Sequence, residues 1–291
     1  MASELAKRVA VAAVGIPFAV LVIYAGGWTL AGVLAVVAAL GTIEFYRLAA
    51  HSRVFAFEVA GAAAAVMFVI TAASASPALA AIRMWNTALA VLLMFAALAI
   101  AQRAPDERPL GALAVTFCGA VFVGGTLAYA VWLRGYPDNA VQQSAISPAL
   151  QGSALLAFPM AITWINDTLA YFVGRAIGRH KLIPKVSPGK TFEGAIAGLV
   201  GGVITAWMLG AKVLGPYVGL EASALRWAWG GVLIAGVAQL GDLAESLLKR
   251  EAGVKDSGRL LPGHGGVLDR FDALFFAIPV AYWFLRSLGL G

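Results

Sequence analysis

Long apolar runs follow one another from end to end of this chain, and they fix its class before any single residue does. Read by length and by their charged or turn-forming borders, they fall at 9–25, 28–48, 55–73, 79–100, 110–133, 155–177, 192–214, 225–247 and 271–288. A helix needs about 20 mostly apolar residues to cross the hydrocarbon of a bilayer. The pattern therefore predicts an all-α polytopic membrane protein with about nine transmembrane helices. Of the 291 residues 61% are hydrophobic and only 12% charged, against roughly 45–50% apolar usage in globular chains. This excludes a soluble enzyme, a disordered chain and a disulfide-stapled domain. The runs are continuous and do not alternate, which argues against a membrane β-barrel. Cys118 is the single cysteine and can form no intrachain disulfide.

The basic residues orient these runs. With the N-terminus in the cytoplasm, only Arg83, Arg134, Lys212, Arg226 and Arg286 of the 21 Lys and Arg residues fall in external segments. Positive charge held on the cytoplasmic side is the expected bias, so the reading is a multi-pass protein of the cell inner (plasma) membrane. A cleaved signal peptide is the competing reading of 9–25, which follows Lys7 and Arg8. The run is long for one, and another span follows at once. A net charge of +6 comes with no basic face carrying interleaved aromatics, so no nucleic acid is expected as partner. Attraction to anionic membrane lipids explains the excess more simply.

Chemistry gathers at one end of the chain. Residues 1–150 are nearly featureless Ala/Val/Leu helix and read as a lipid-facing scaffold. Residues 151–291 carry two cytoplasmic loops, 175–191 and 249–268, rich in charge, glycine and proline, and read as the catalytic region. At the membrane margin beside these loops stand Asp167, Glu193, Asp242, Glu245, Asp269 and Asp272. A carboxylate at the centre of a spanning helix costs about 2.5–3.5 kcal/mol, so several together call for a compensating charge. Asp242 and Glu245 share a helix face with Ser246 and Lys249. Asp269 and Asp272 repeat that spacing at the start of the last run, where the helix dipole alone would favour an acid. Asp242 follows a long apolar run and has no such excuse; its plainer reading is a buried interhelical salt bridge.

Around these acids lie Lys249, Arg250, Lys255, Arg259, His264 and Arg270, with Gly258, Gly263, Gly265 and Gly266 between them. The mixture suits a polyphosphate carried with a divalent cation, since hard oxygen ligands and substrate phosphates together hold Mg²⁺. A zinc site is excluded, because the three histidines are scattered and no second cysteine exists. The stretch Ser187, Pro188, Gly189, Lys190, Thr191 imitates the end of a phosphate-binding P-loop. Pro184 stands where that motif needs glycine, and no preceding strand is expected, so it is not one. A Lys/Thr pair opening a helix could still bind phosphate, with a simple helix cap as the equal alternative.

Ser246, Lys249, Arg250, Lys255, Asp256, Gly258, Leu261, His264, Gly265, Gly266, Asp269, Arg270, Phe271 and Asp272 form a pattern that resembles the phosphatidate cytidylyltransferase (CDP-diacylglycerol synthase) family at each fixed position. A second block is similar too: Asp167, Thr168, Ala170, Tyr171, Gly174, Arg175, then Ser187, Pro188, Lys190, Thr191, Glu193 and Gly194. Gly189 departs from it, where a second basic residue is expected. The resemblance covers about 164–272.

It implies a metal-dependent nucleotidyltransferase that moves CMP from CTP to phosphatidate, yielding CDP-diacylglycerol and pyrophosphate in phospholipid biosynthesis, as a homodimer. The lipid phosphate monoester has a second pKa near 6 and is largely dianionic at pH 7, so no general base is needed. Beside this resemblance, we expect catalysis to fall to Asp242, Asp269, Lys249 and Arg270, and the cation to be held by Asp242 and Asp269 with Asp272 and Asp167. The cation would be Mg²⁺, with room for a second, monovalent or divalent one. Ser187, Lys190, Thr191, Ser246, Arg250, Lys255, Asp256, His264, Gly265 and Gly266 would bind CTP or lipid phosphate. The rival function is a cation-coupled secondary transporter, whose intramembrane acids would line a pathway. Clustering of charge at one membrane face and the lack of an obvious repeat speak against it.

Overall fold

Each apolar run becomes helical because a backbone in lipid has to satisfy its own amides and carbonyls. The structure is a computed structural model that describes residues 2–74, 77–136, 146–260 and 265–290. In chain order the helices are α1 (Ala2–Ala25), α2 (Gly27–His51), α3 (Glu58–Ser74), α4 (Pro77–Gln102), α5 (Pro109–Gly119), α6 (Thr126–Gly135), α7 (Pro148–Ile177), α8 (Phe192–Leu209), α9 (Gly215–Val218), α10 (Ala224–Glu251) and α11 (Leu268–Ser287). Short π-helical stretches, Ala120–Gly125 and Gly210–Leu214, join α5 to α6 and α8 to α9. Six helical segments among the described residues are long and apolar enough to cross a membrane: Gly27–His51, Leu79–Gln102, Pro109–Gly135, Pro148–Ile177, Phe192–Val218 and Ala224–Glu251. Large apolar side chains such as Trp85, Ile100, Leu225 and Trp229 stand exposed along these helices, as expected of a surface that faces lipid. This is a polytopic helical membrane protein.

The expectation of an all-α chain needs one correction. Within 175–191 lies a two-stranded antiparallel hairpin, β1 (Lys181–Ile183) and β2 (Ser187–Thr191), pairing Lys181 with Thr191 and Ile183 with Ser187 around a bulge. A strand does precede α8, against expectation. Gly189, Lys190 and Thr191 belong to it, and Thr191 is extended (φ −127°, ψ 156°), so the stretch still does not wrap as a P-loop does.

The chain packs as two compact units, Met1–Trp132 with Leu248–Phe271, and Leu133–Leu247 with Asp272–Gly291. The division therefore differs from one at residue 150: most of the 249–268 loop folds with the first helices of the chain. In the first unit Phe68, Val91, Phe95 and Ala120 form a buried cluster. Several polar groups there are paired within the protein. The Tyr46 hydroxyl donates to the Thr116 carbonyl (2.6 Å), and Thr116 Oγ1 accepts the Phe57 amide (2.9 Å) while donating to the Ala112 carbonyl (2.6 Å).

In the second unit α7 and α8 lie backbone against backbone. A Cβ on Gly194 would stand 2.5 Å from the Ala170 carbonyl oxygen, and one on Gly198 2.7 Å from that of Asn166. Small residues bring spanning helices this close where apolar burial offers no drive. Gln239 of α10 ties the pair together, donating to Asn166 Oδ1 (2.7 Å) and the Ala195 carbonyl (2.9 Å). Further along α10, Gly241 touches α11: its Cβ would lie 2.7 Å from the Asp272 carbonyl oxygen.

Candidate active site

In the second unit the hairpin delivers a lysine to an acid. Strand β2 ends at Thr191, a buried residue whose hydroxyl accepts the Gly194 amide (3.2 Å) and caps α8. Of the two readings of Thr191, the structure shows the helix cap. His180, before β1, is tied to the first turn of α8 by Nδ1 to Glu193 Oε1 (2.6 Å). With both ends of the hairpin held, β2 sets Lys190 Nζ 2.7 Å from Asp242 Oδ2, and Asp242 Oδ1 accepts the Ser246 hydroxyl at 3.4 Å. Asp167, on α7, feels the charges of Asp242, Asp272 and Lys190 and accepts the Asn166 amide group at 3.0 Å. Asp272 Oδ1 accepts the Ala273 amide (2.7 Å). Three of the four expected metal acids thus belong to one unit and share one electrostatic neighbourhood.

The fourth, Asp269, belongs to the first unit and is heavily engaged. Its Oδ1 receives Lys249 Nζ at 2.7 Å. Its Oδ2 accepts the Ser257 amide (2.9 Å), the Ser257 hydroxyl (2.9 Å) and the Gly266 amide (2.8 Å). Burial opposes its charge, but the Lys249 hydrogen bond and the Gly266 amide outweigh burial and hold the carboxyl below its ordinary value. Gly265 makes the turn possible with a positive φ of 82°, a conformation side-chain-bearing residues rarely adopt.

One buried acid that the sequence reading did not single out is Glu44. It sits on α2, nearly fully buried. Its Oε1 accepts the Val267 amide (3.1 Å), and its Oε2 accepts the Leu268 amide (2.8 Å) and the Ser257 hydroxyl (3.1 Å). The first amides of a helix have no partner in their own helix, and here another helix supplies one. Two glycines follow from this contact. A Cβ on Gly258 or Gly266 would collide with the Glu44 carboxylate. These glycines make room for a protein acid. A signal was present: a carboxylate deep in an apolar run is costly and functional by default.

The other expected residues divide by exposure. Arg250 donates from Nη1 to the Val254 carbonyl (3.1 Å). Arg250, Lys255, Asp256 and Arg270 are exposed, while Ser187 and Lys190 are half-buried and Ser246 is buried. His264 lies outside the described residues. Among the described residues no three His, Cys, Asp or Glu side chains converge closely enough to hold a metal ion by themselves. The donor chemistry nonetheless fits Mg²⁺, which takes one or two carboxylates and draws its other ligands from water and substrate phosphates.

Helices long and apolar enough to cross a membrane, with a lysine–acid pair in each unit, define the class: a helical membrane protein. Comparison with known proteins gives the family: residues 6–288 match the model of the Cytidylyltransferase family, and the chain belongs to it. A phosphatidate cytidylyltransferase of Synechocystis is 33% identical over 97% of both chains. One of Haemophilus influenzae is 44% identical over 46% of this chain and 46% of its own. The Escherichia coli protein YnbB, described only as uncharacterized, is 41% identical over 61% of this chain and 55% of its own. In these last two alignments the chain spans about half the length of the curated relative.

Proposed function

We propose that this protein transfers the cytidylyl group of CTP to phosphatidate, releasing pyrophosphate and forming CDP-diacylglycerol. The observation that carries the reading is the similarity to the Synechocystis phosphatidate cytidylyltransferase along 97% of both chains. In this reaction an oxygen of the lipid phosphate attacks the α-phosphorus of CTP, and the bond from that phosphorus to the bridging oxygen of the leaving pyrophosphate breaks. The nucleophile arrives as a dianion, so catalysis consists of alignment and charge stabilisation.

The two lysine–acid pairs support division of that labour. Lys190 on Asp242 and Lys249 on Asp269 each neutralise a carboxylate, each at 2.7 Å. When a triphosphate arrives, a lysine can pass to a phosphate oxygen and leave its acid free. The Lys190–Asp242 pair suits that exchange best, with side chains 27% and 33% exposed against 13% and 5% for Lys249–Asp269. Asp242, with Asp167 and Asp272, would then hold Mg²⁺, and Asp269, one helical turn before Asp272, is the further ligand the sequence suggests. The bound cation would neutralise charge on the phosphates and the leaving pyrophosphate. Arg270, Arg250, Lys255 and Asp256, exposed near the same loop, are the groups to meet CTP and lipid phosphate, together with Ser187, Ser246 and the Gly265–Gly266 backbone.

We place this chemistry at the cytoplasmic face of the inner membrane, with about nine crossings, an N-terminus inside and a homodimer as the working form. Supplying the purified protein with CTP, dispersed phosphatidate and Mg²⁺ tests the activity. CDP-diacylglycerol and pyrophosphate should appear in equal amounts. Cation movement across a vesicle without either product would favour the transporter reading instead.

A further inference from the structure

The acids at the two ends of this chain's sequence meet through one serine. Glu44 and Asp269 both contact Ser257: its hydroxyl oxygen lies 3.1 Å from Glu44 Oε2 and 2.9 Å from Asp269 Oδ2. Ser257 is buried and has a single hydroxyl proton to serve either acid. Its backbone amide is already committed to Asp269 (2.9 Å). Glu44 also receives the Val267 and Leu268 amides, the opening of α11, on which Asp269 rides. Loss of its charge weakens these bonds together, since bonds to an ionised acceptor are roughly twice as strong as neutral ones.

We propose that Glu44 is a positioning residue for the transfer reaction: from α2 it straps Ser257 and the start of α11 and, through them, sets where the Asp269 carboxylate points. Glu44 is not itself among the groups expected to meet substrate. Its whole effect runs through the residues that hold Asp269 and its partner Lys249. The packing supports this, because Gly258 and Gly266 leave room for the Glu44 head where any larger residue would collide with it. Gly41, one turn earlier on α2, faces Val267: a Cβ there would lie 3.9 Å from Val267 Cγ1. The strap is thus a charged contact set within an apolar one. This inference rests on the transferase reading for its kinetic part only.

The test uses full-length protein in lipid nanodiscs, comparing wild type with Glu44→Gln and Ser257→Ala. Gln presents an amide NH₂ to one of the two backbone amides, donor against donor. Hydrogen exchange of peptides covering 265–270 should speed by about ten-fold or more in Glu44→Gln, with exchange in α7 and α8 unchanged. Turnover per folded molecule should fall about 100-fold, the scale of an ångström's misplacement, with KM for CTP within about two-fold of wild type. Ser257→Ala should lose turnover several-fold, and the double variant should lose less than the product of the single losses. If Glu44→Gln does not fold, Ser257→Ala decides alone: wild-type turnover there overturns the proposal. It is overturned equally if Glu44→Gln keeps wild-type turnover, or loses it with no change in exchange at 265–270. Should wild-type protein make no CDP-diacylglycerol, the transferase reading fails, while the exchange experiment still judges the strap.

Discussion

Lys190 and Lys249 look alike in sequence but stand in different circumstances. Lys190 reaches Asp242 from the end of a strand, and both side chains keep about a third of their surface open. Such a pair contributes only about 0–1 kcal/mol to stability. Lys190→Ala should therefore leave the thermal midpoint almost unchanged. It should raise KM for CTP about ten-fold or more, the loss of one charge-assisted bond to phosphate. A large drop in thermal stability with KM unchanged would make Lys190 a structural pair and nothing else. The signature from Ser246 to Asp272 was legible because its spacing is dense and polar in an otherwise apolar chain. Glu44 stood out only as an acid within an apolar run; its partner was not legible, because 213 residues separate it from Ser257 and no local pattern records so distant a contact. Thr191 was legible as a cap only in part: the Gly194 amide three residues on takes its bond, but the same residues could as well have bound phosphate.

At the scale of elements, apolar period and length identified the helices, because in lipid the hydrogen-bonding demand on the backbone leaves little alternative. The hairpin escaped. Strands of three and five residues, the second containing Pro188 and Gly189, show no alternation that could announce them. Its pairing is fixed instead by neighbours, through His180 on Glu193 and Thr191 capping α8. The close approach of α7 and α8 is what makes such fixing firm. Gly198→Ala places a methyl 2.7 Å from both the Asn166 carbonyl oxygen and its side-chain Oδ1. Since Asn166 Oδ1 accepts from Gln239, the substitution should destabilise the protein by about 1–3 kcal/mol, the usual cost of overpacking. A thermal midpoint equal to wild type would show that these helices are less tightly packed than the geometry states.

For the whole molecule, the sequence placed chemistry in its second half and scaffold in its first. Folding redistributes them. Leu248–Phe271, with Lys249, Ser257 and Asp269, belongs to the unit built from Met1–Trp132, and Asp167, Lys190, Asp242 and Asp272 belong to the other. Residues far apart in the chain cannot advertise such an arrangement, since nothing in a local pattern records which helices will pack together. Orientation in the membrane follows from charge bias and has its own check. A Lys255→Cys variant on a Cys118→Ser background should react with a membrane-impermeant maleimide only from the cytoplasmic side. Labelling from outside would invert the topology and strand the site away from soluble CTP.

The account turns on Asp242 as the acid exchanged between lysine and cation during cytidylyl transfer. Its most direct test is pyrophosphate release by purified Asp242→Asn, with CTP and phosphatidate saturating and Mg²⁺ varied. The variant should fold and stay in the membrane fraction, yet lose turnover by at least about 1,000-fold at every Mg²⁺ concentration, in line with removal of a major electrostatic stabiliser. Near-normal turnover with an unchanged Mg²⁺ requirement would contradict it, and would remove Asp242 from the chemistry.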